Sequence, residues 1–221
     1  VVDVRETLQS LEISTDLPIL VPKKNIILIQ DVNGLARVKE TLSSPYCDAF
    51  AFDCEWRDPR PMSLLQISPV HTRDTFVIDV LRLPRKDVSE FVNEVFGDAA
   101  LRKIAFAPEQ DWKRLRVLSK RVPISNSSDL PQAYVDANVI DLQGETMNSL
   151  ASVVADTLGY ALDKRCQRSN WDFRPLSEQQ KCYAGLDAEV LLEVAARLGM
   201  VALQSSSSLR LRCNLLLLSE M

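Results

Sequence analysis

The segment AFAFDCEW, at residues 49–56, constrains the fold of this 221-residue chain more than any other stretch. Its residue types predict a β-strand, in which successive side chains point to opposite faces. One face carries large side chains from Phe50 to Trp56, whereas the other is small and then acidic at Asp53 and Glu55. We expect one face to form core and the other to bring two carboxylates together. Such a pair suits a shared cation, although a D-x-E triplet alone is more often an ordinary strand end with solvated acids.

Other acidic residues lie at the start of, or within, further predicted helices and strands. Asp111, in FAPEQDWKRL, opens a predicted helix, and in isolation it is typical of a helix N-cap. Tyr183 and Asp187 are four residues apart and share one face of another predicted helix, where the simple alternative is a surface pair. Asp141, in the apolar segment NVIDLQ, is either a supporting acid or a strand-end cap.

The periodicity of the chain predicts an α/β fold. A first helix is expected after an Asp31 N-cap, with Leu35, Val38 and Leu42 on one face. Further helices are predicted at 88–96, 111–119, 148–158 and 177–198, a polar loop at 122–137, and strands at 26–29, 48–56, 63–68, 75–80, 103–107 and 139–142. Strands joined by short turns, followed by strands that alternate with helices, indicate a mixed sheet covered by helices.

Length and composition indicate one folded domain. The chain is 46% hydrophobic and 25% charged, which is ordinary for one domain with a sizeable core. We expect a lead-in segment at 1–25, the domain at 26–200, and a tail or the start of a further segment at 201–221. Because the chain begins at Val1 without methionine, we expect a fragment of a longer protein.

Several functional classes are excluded or disfavoured. The net charge of −4 disfavours a generic basic nucleic-acid wrapper, but bound cations would add positive charge that this count omits. Five cysteines without a C-x-x-C pair disfavour a disulfide framework or a cysteine zinc site. His71 is the only histidine, which excludes an H-E-x-x-H site and leaves a Ser-His-Asp triad only if His71 serves it. No signal peptide or membrane-spanning run is visible, so we expect an intracellular location, cytoplasmic or nuclear.

Three segments, taken in order, resemble a known family. AFDCEW, KIAFAPEQDWKRL and LDKRCQRSNWDFRPLSEQQKCYAGLDAEVLLEV are similar to the three motifs of the DEDDy 3′-5′ exonucleases, in the branch of RNase D and the Werner-syndrome exonuclease domain. The motifs D-C-E-W-R and S-N-W-x-x-R-P-L-S-x-x-Q are most similar to those of the Nibbler-like exonuclease domains. The resemblance runs from about Ile26 to Leu198 and its last block is highly specific.

The resemblance implies an RNase H-like fold and a metal-dependent nuclease site. The family pattern places two Mg²⁺ or Mn²⁺ ions on Asp53, Glu55, Asp111 and Asp187, and Tyr183 would orient or help deprotonate the attacking water. The second motif departs from the H-N-x-x-x-D that is frequent in these families, because F-A-P-E-Q-D places Pro108 and Glu109 just before the aspartate. This departure can change the backbone there.

The block between Leu162 and Lys181 combines basic and aromatic residues, which suits a single nucleic-acid strand. We interpret Lys164, Arg168, Trp171 and Arg174 as candidate substrate-binding residues, although a charge run is usually a solvated face and the tryptophan can equally be core. By resemblance, the strand at Leu64, Leu65 and Gln66 is expected to line the floor near the terminal nucleotide, and Leu65 is the substrate contact predicted from it, although an ordinary core strand is an interpretation of at least equal weight.

The leading hypothesis is an exoribonuclease that removes nucleoside 5′-monophosphates from a single-stranded RNA 3′ end, with possible action on DNA and a possible protein partner through flanking regions. The alternatives are a catalytically silent RNase H-like module that binds RNA or a protein, a DNA-directed exonuclease, and a glycoside hydrolase with paired carboxylates. The last of these leaves the basic and aromatic block unexplained.

Overall fold

The computed structural model describes residues 17–119, 130–144 and 148–202. Its strands form one six-stranded sheet in the order β1-β4-β3-β2-β5-β6. The strands are β1 (Asn25–Ile29), β2 (Ala49–Trp56), β3 (Met62–Pro69), β4 (Asp74–Asp79), β5 (Arg102–Ala105) and β6 (Val139–Asp141). The helices are α1 (Val32–Leu42), α2 (Arg85–Phe96), α3 (Glu109–Leu118), α4 (Leu130–Asp136), α5 (Leu150–Leu158) and α6 (Glu178–Arg197).

The sheet is mixed, as predicted. β2 pairs with β3 and β3 with β4 in antiparallel register, whereas the β1–β4, β2–β5 and β5–β6 pairs are parallel. The antiparallel hairpins of β2, β3 and β4 therefore precede the parallel strands β5 and β6 along the chain, whereas β1, the first strand, lies parallel beside β4. This order confirms the expected α/β fold.

Aromatic side chains fill the core on the face of β2 opposite its acids. Phe50 and Phe52 pack edge-on against Phe96 of α2, and Trp112 of α3 completes the group. The large residues at alternate positions of β2 thus form the core, as the sequence pattern predicts.

Helix α6 covers the other face of the sheet and contacts β1 to β5. It begins with a capping box in which Ser177 and Gln180 each satisfy a backbone amide of the other. Gly185 allows its close approach, because a Cβ atom there would lie 2.7 Å from the Ile26 side chain of β1. The helix therefore lies close enough to bring its polar positions to the acidic end of β2.

Two sequence predictions need correction. Part of the predicted polar loop at 122–137 is helix α4, while 120–129 lie outside the described residues. β5 ends at Ala105, so Ala107 belongs to the turn before α3 and not to the strand, and Pro108 rather than Asp111 is the N-cap residue of α3.

The segment before β1 packs against the domain over its described part. Leu20 is buried and its amide donates to the Ala161 carbonyl, and the Lys23 amide donates to the Glu189 carboxylate of α6. The predicted tail from residue 203 onward lies outside the described residues. Among the helices that are described, none has the length and apolar character needed to cross a membrane.

Candidate active site

Three carboxylates meet where the acidic end of β2 lies beneath α6. One oxygen each of Asp53, Glu55 and Asp187 lies within 4.8 Å of the others. Strand alternation places the first two on one face, and α6 delivers the third from above. A cavity of about 560 Å³ opens over them. Residues more than 130 positions apart thus form one hard-oxygen donor set, the kind that divalent cations such as Mg²⁺ prefer.

When no cation is bound, the pKa values of the clustered acids lie above those of free carboxyl groups. Burial raises the pKa of Asp53 to about 6. Burial, followed by the neighbouring charges of Asp53 and Asp187, raises the pKa of Glu55 to about 10. The pKa of Asp187 also lies well above its ordinary value, first because of burial and then because of Asp53. A bound cation would offset the carboxylate repulsion that adds to the effect of burial at Glu55 and Asp187.

Tyr183 lies one helical turn before Asp187 and lines the same cavity. Burial and then the Asp187 charge raise the pKa of Tyr183 above its ordinary value, and hydrogen bonding to that carboxylate adds to the shift. The phenol is therefore a protonated donor at neutral pH. Lys164 also lines the cavity, and its charge opposes the rise in the pKa of Asp187.

Asp111 lines the cavity but is not a member of the three-carboxylate group. It is buried in the first turn of α3. Burial, and next the charge of Asp53, raise the pKa of Asp111 well above its ordinary value. The charges of Asp111 and Asp53 therefore interact, and the role of Asp111 as a fourth metal ligand stays a prediction.

The turn before α3 shows how the unusual second motif is accommodated. Ala107 adopts a positive φ of 49°. Its amide donates to Oδ1 of Asp141 at 2.9 Å, and the same oxygen accepts from the Gln143 amide at 3.0 Å. Pro108 then provides the N-cap residue of the helix. Asp141, which the sequence left open between two roles, thus fixes the backbone that leads to Asp111.

The structure contradicts two of the predicted substrate contacts. Leu65 is 0% exposed and packs in the core cluster of Phe50 and Phe52, on the face away from the acids. Trp171 is 1% exposed and packs against Tyr183 with ring centroids 5.9 Å apart. Neither side chain presents a surface to a nucleotide.

Arg174 forms a buried ion pair. Its Nε and Nη2 atoms donate to the two carboxylate oxygens of Asp79, each at 2.7 Å, and Nη1 donates to the Trp171 carbonyl at 2.6 Å. Asp79 is fully buried. These contacts occupy the guanidinium and assign Arg174 to holding the loop, and its predicted phosphate contact stays a prediction. Lys164 and Arg168 are exposed in the same loop and stay candidates for substrate binding.

A cation–π pair at the rim of the cavity was missed by the sequence reasoning. The Arg114 guanidinium lies 3.6 Å from the ring centroid of Trp56, and Nη2 donates to Asp58 at 2.8 Å. The Arg114 charge also opposes the rise in the pKa of Asp111. A usable signal was present in the sequence, since Arg114 follows Asp111 by three residues and so shares its side of the helix.

Comparison with known proteins places this geometry in a family. A family model described as 3′-5′ exonuclease matches residues 26–201. The human exonuclease mut-7 homolog is 30% identical over 200 residues, which cover 79% of this chain and 22% of that protein. The Aedes aegypti homolog is 32% identical over 166 residues, covering 65% of this chain and 22% of that protein. The chain thus spans about a fifth of the length of these relatives.

Solved structures agree with the sequence match. The Nibbler EXO domain of Aedes aegypti superposes with a TM-score of 0.64 at 27% identity, covering 77% of this chain and 85% of that one. Escherichia coli RNase D gives a TM-score of 0.62 at 26% identity, covering 79% and 44%. The sequence match, the shared fold and the clustered acids agree, and the chain belongs to the 3′-5′ exonuclease family.

Proposed function

We propose that this domain is a metal-dependent 3′-5′ exoribonuclease that trims single-stranded RNA and releases nucleoside 5′-monophosphates. The observation that carries the proposal is the convergence of Asp53, Glu55 and Asp187 within 4.8 Å, in a cavity that Tyr183 also lines. RNA is favoured as substrate because Escherichia coli RNase D is described as an exoribonuclease of structured RNA processing.

The donor set fits hard divalent cations. Only carboxylate oxygens meet in the three-residue group. Burial is the first cause of their raised pKa values, and at Glu55 and Asp187 the charges of neighbouring acids add a repulsion that a cation would relieve. We assign two Mg²⁺ or Mn²⁺ ions to Asp53, Glu55, Asp111 and Asp187. When bound, such ions neutralise phosphate charge and lower the pKa of an attacking water.

The other residues of the cavity bind and orient. The Tyr183 hydroxyl, held as a donor beside Asp187, is placed to orient the attacking water. Lys164 adds an exposed positive charge near Asp187 for a substrate phosphate. We further propose that the protein acts inside the cell, in the cytoplasm or the nucleus, and that regions flanking this domain bind partner proteins.

Digestion of matched RNA and DNA oligonucleotides tests the proposal. Single-stranded and duplex versions carrying a 5′ label are incubated with Mg²⁺, with Mn²⁺ or with EDTA. The expected result is a ladder of shortened single-stranded RNA in either metal and none in EDTA. With a 3′ label, a labelled mononucleotide should appear first.

Asp53→Ala is the matched control, because it removes a central ligand and, in the metal-free fold, the charge that repels Glu55 and Asp187. It should abolish cleavage without lowering the melting temperature in EDTA. RNA binding without cleavage in both metals would instead support a catalytically silent module, and preference for the DNA strand would redirect the substrate assignment.

A further inference from the structure

Gln66 is a buried polar residue that the proposed site does not yet use. Its side chain is 0% exposed on β3, and within the described residues neither Oε1 nor Nε2 has a hydrogen-bond partner. An unpaired buried amide costs free energy, because it has lost water without gaining another partner. An unpaired amide in the middle of a sheet therefore needs an explanation, and a functional role is one.

The sheet register places Gln66 beside the acidic cluster. Gln66 is directly opposite Asp53 in the antiparallel β2–β3 pair. Side chains of opposite residues point to the same face, with Cβ atoms about 4.5–5.5 Å apart. A glutamine side chain is long enough to span that gap and reach the carboxylate.

The other neighbours of Gln66 in the sheet are apolar or already hydrogen-bonded to another residue. Across the opposite strand pair it faces Val77, which is buried and apolar. On the same strand and face, the Ser68 hydroxyl is already paired with Thr75 at 2.9 Å. Among these sheet neighbours, the Asp53 carboxylate is the remaining hydrogen-bond acceptor for the Gln66 amide.

We propose that Gln66 is a positioning residue of the cation-bound site: its Nε2, which has no hydrogen-bond partner within the described residues, donates to one carboxylate oxygen of Asp53 once a cation is held and so fixes the orientation of that ligand. The other Asp53 oxygen is then held toward Glu55 and Asp187, where a cation would bind. The inference rests on the proposed function, because it assigns Gln66 a role only if these acids hold cations.

Metal binding without RNA tests the role separately from cleavage. Mn²⁺ affinity is measured by calorimetry and the melting temperature is measured in EDTA, for wild type and for Gln66→Met, which keeps the length but removes both polar atoms. We expect the Mn²⁺ dissociation constant to rise about 10–100-fold, as is usual when a hydrogen-bond partner of a metal ligand is lost. The melting temperature in EDTA should stay equal or rise, and kcat should fall with little change in KM.

Ser68→Ala is the matched control, since Ser68 is a buried polar residue on the same strand and face whose hydrogen bond is satisfied. It should lower the melting temperature in EDTA and leave the Mn²⁺ dissociation constant unchanged. Gln66→Leu is measured alongside as a second apolar replacement.

Unchanged Mn²⁺ affinity in both Gln66 variants would overturn the inference, and so would failure of both to fold, because either result makes Gln66 an ordinary core residue. A wild-type protein that neither binds Mn²⁺ nor cleaves RNA would instead overturn the proposed function. The two failures are therefore distinguishable.

Discussion

The ring of Tyr183 packs on the buried indole of Trp171, with centroids 5.9 Å apart and planes inclined by 35°. Trp171 precedes α6 in the chain and belongs to a core cluster with Leu64 and Ala184. The tryptophan therefore supports the tyrosine of the candidate site from behind. This contact explains why the basic block contains Trp171, and no stacking of the indole on a base is needed to account for it.

Trp171→Ala should destabilise the domain and disturb Tyr183 together. Loss of a buried tryptophan costs about 3–5 kcal/mol. We expect a lower melting temperature and a lower kcat, whereas KM for RNA should change little because the indole is not exposed. Thermal unfolding and steady-state kinetics check both effects.

Phe173 provides the control, because it lies two residues away and its side chain is 64% exposed. Phe173→Ala should change stability by no more than about 0.5 kcal/mol. Equal melting temperatures for the two variants would contradict the supporting role of Trp171.

The acidic cluster predicts that pH affects metal-free stability. The folded pKa of Glu55, about 10, is above its ordinary value, so the folded state binds more protons than the unfolded state. Glu55 therefore contributes stability at low pH that is lost as pH rises toward 10, by up to about 1.4 kcal/mol per pH unit. Lys24 and Lys103 act in the opposite direction, because burial lowers the pKa of each to about 8.

Comparison with Glu55→Gln isolates the acid from these lysines. In EDTA, the melting temperature of wild type minus that of Glu55→Gln should fall between pH 6 and pH 9. Saturating Mg²⁺ should stabilise wild type and flatten its pH dependence, since a cation takes the place of the protons. A difference that is independent of pH in EDTA would count against the raised pKa of Glu55.

Local patterns account for what the sequence predicted well. The alternation of β2 assigned Asp53 and Glu55 to one face, and the four-residue spacing of Tyr183 and Asp187 placed both on one side of α6. These rules depend only on neighbours in the chain. The convergence of strand and helix was expected from the family resemblance, not from periodicity.

The errors arose where long-range packing decides. β3 is buried on both faces, so its apolar run carries no alternation that would separate Leu65 from its neighbour Leu64. The local sequence around Arg174 indicates a free cation, because its partner Asp79 lies 95 positions away in the chain. Helix α4 is seven residues long and too short for a clear helical period.

Arg174→Ala should affect stability more than RNA binding. Removing it leaves the buried Asp79 carboxylate without its bidentate partner, a change that typically costs about 3–5 kcal/mol. Chemical denaturation measures the loss. The double variant Arg174→Met with Asp79→Leu should recover much of it, because no unpaired charge is then buried. If Arg174→Ala keeps wild-type stability but loses RNA affinity, the result would instead support the predicted contact between Arg174 and a phosphate.

Lys164→Ala should have the opposite profile. Its side chain is exposed and lines the cavity near Asp187, so its removal should leave the melting temperature unchanged and raise KM for RNA. Loss of one phosphate contact should also reduce the slope of log affinity against log salt concentration by about 1. Lys113→Ala is the matched control, because that lysine is already paired with Glu109 on α3. Identical salt slopes for the two variants would argue against a phosphate contact at Lys164.

Asp141 should control the placement of Asp111 without touching the substrate. Its Oδ1 atom accepts from the amides of Ala107 and Gln143, and the first of these bonds holds the turn whose φ is positive. Asp141→Ala leaves both amides without this acceptor, so we expect the turn to relax and kcat to fall, with a stability loss of about 1–3 kcal/mol. Asp141→Asn retains a carbonyl oxygen that can accept the same bonds, and it should keep most of the activity. If the negative charge of Asp141 matters rather than its hydrogen bonds, kcat of the asparagine variant will be as low as that of the alanine variant. Measuring kcat of both variants at a temperature where both are folded separates the two cases.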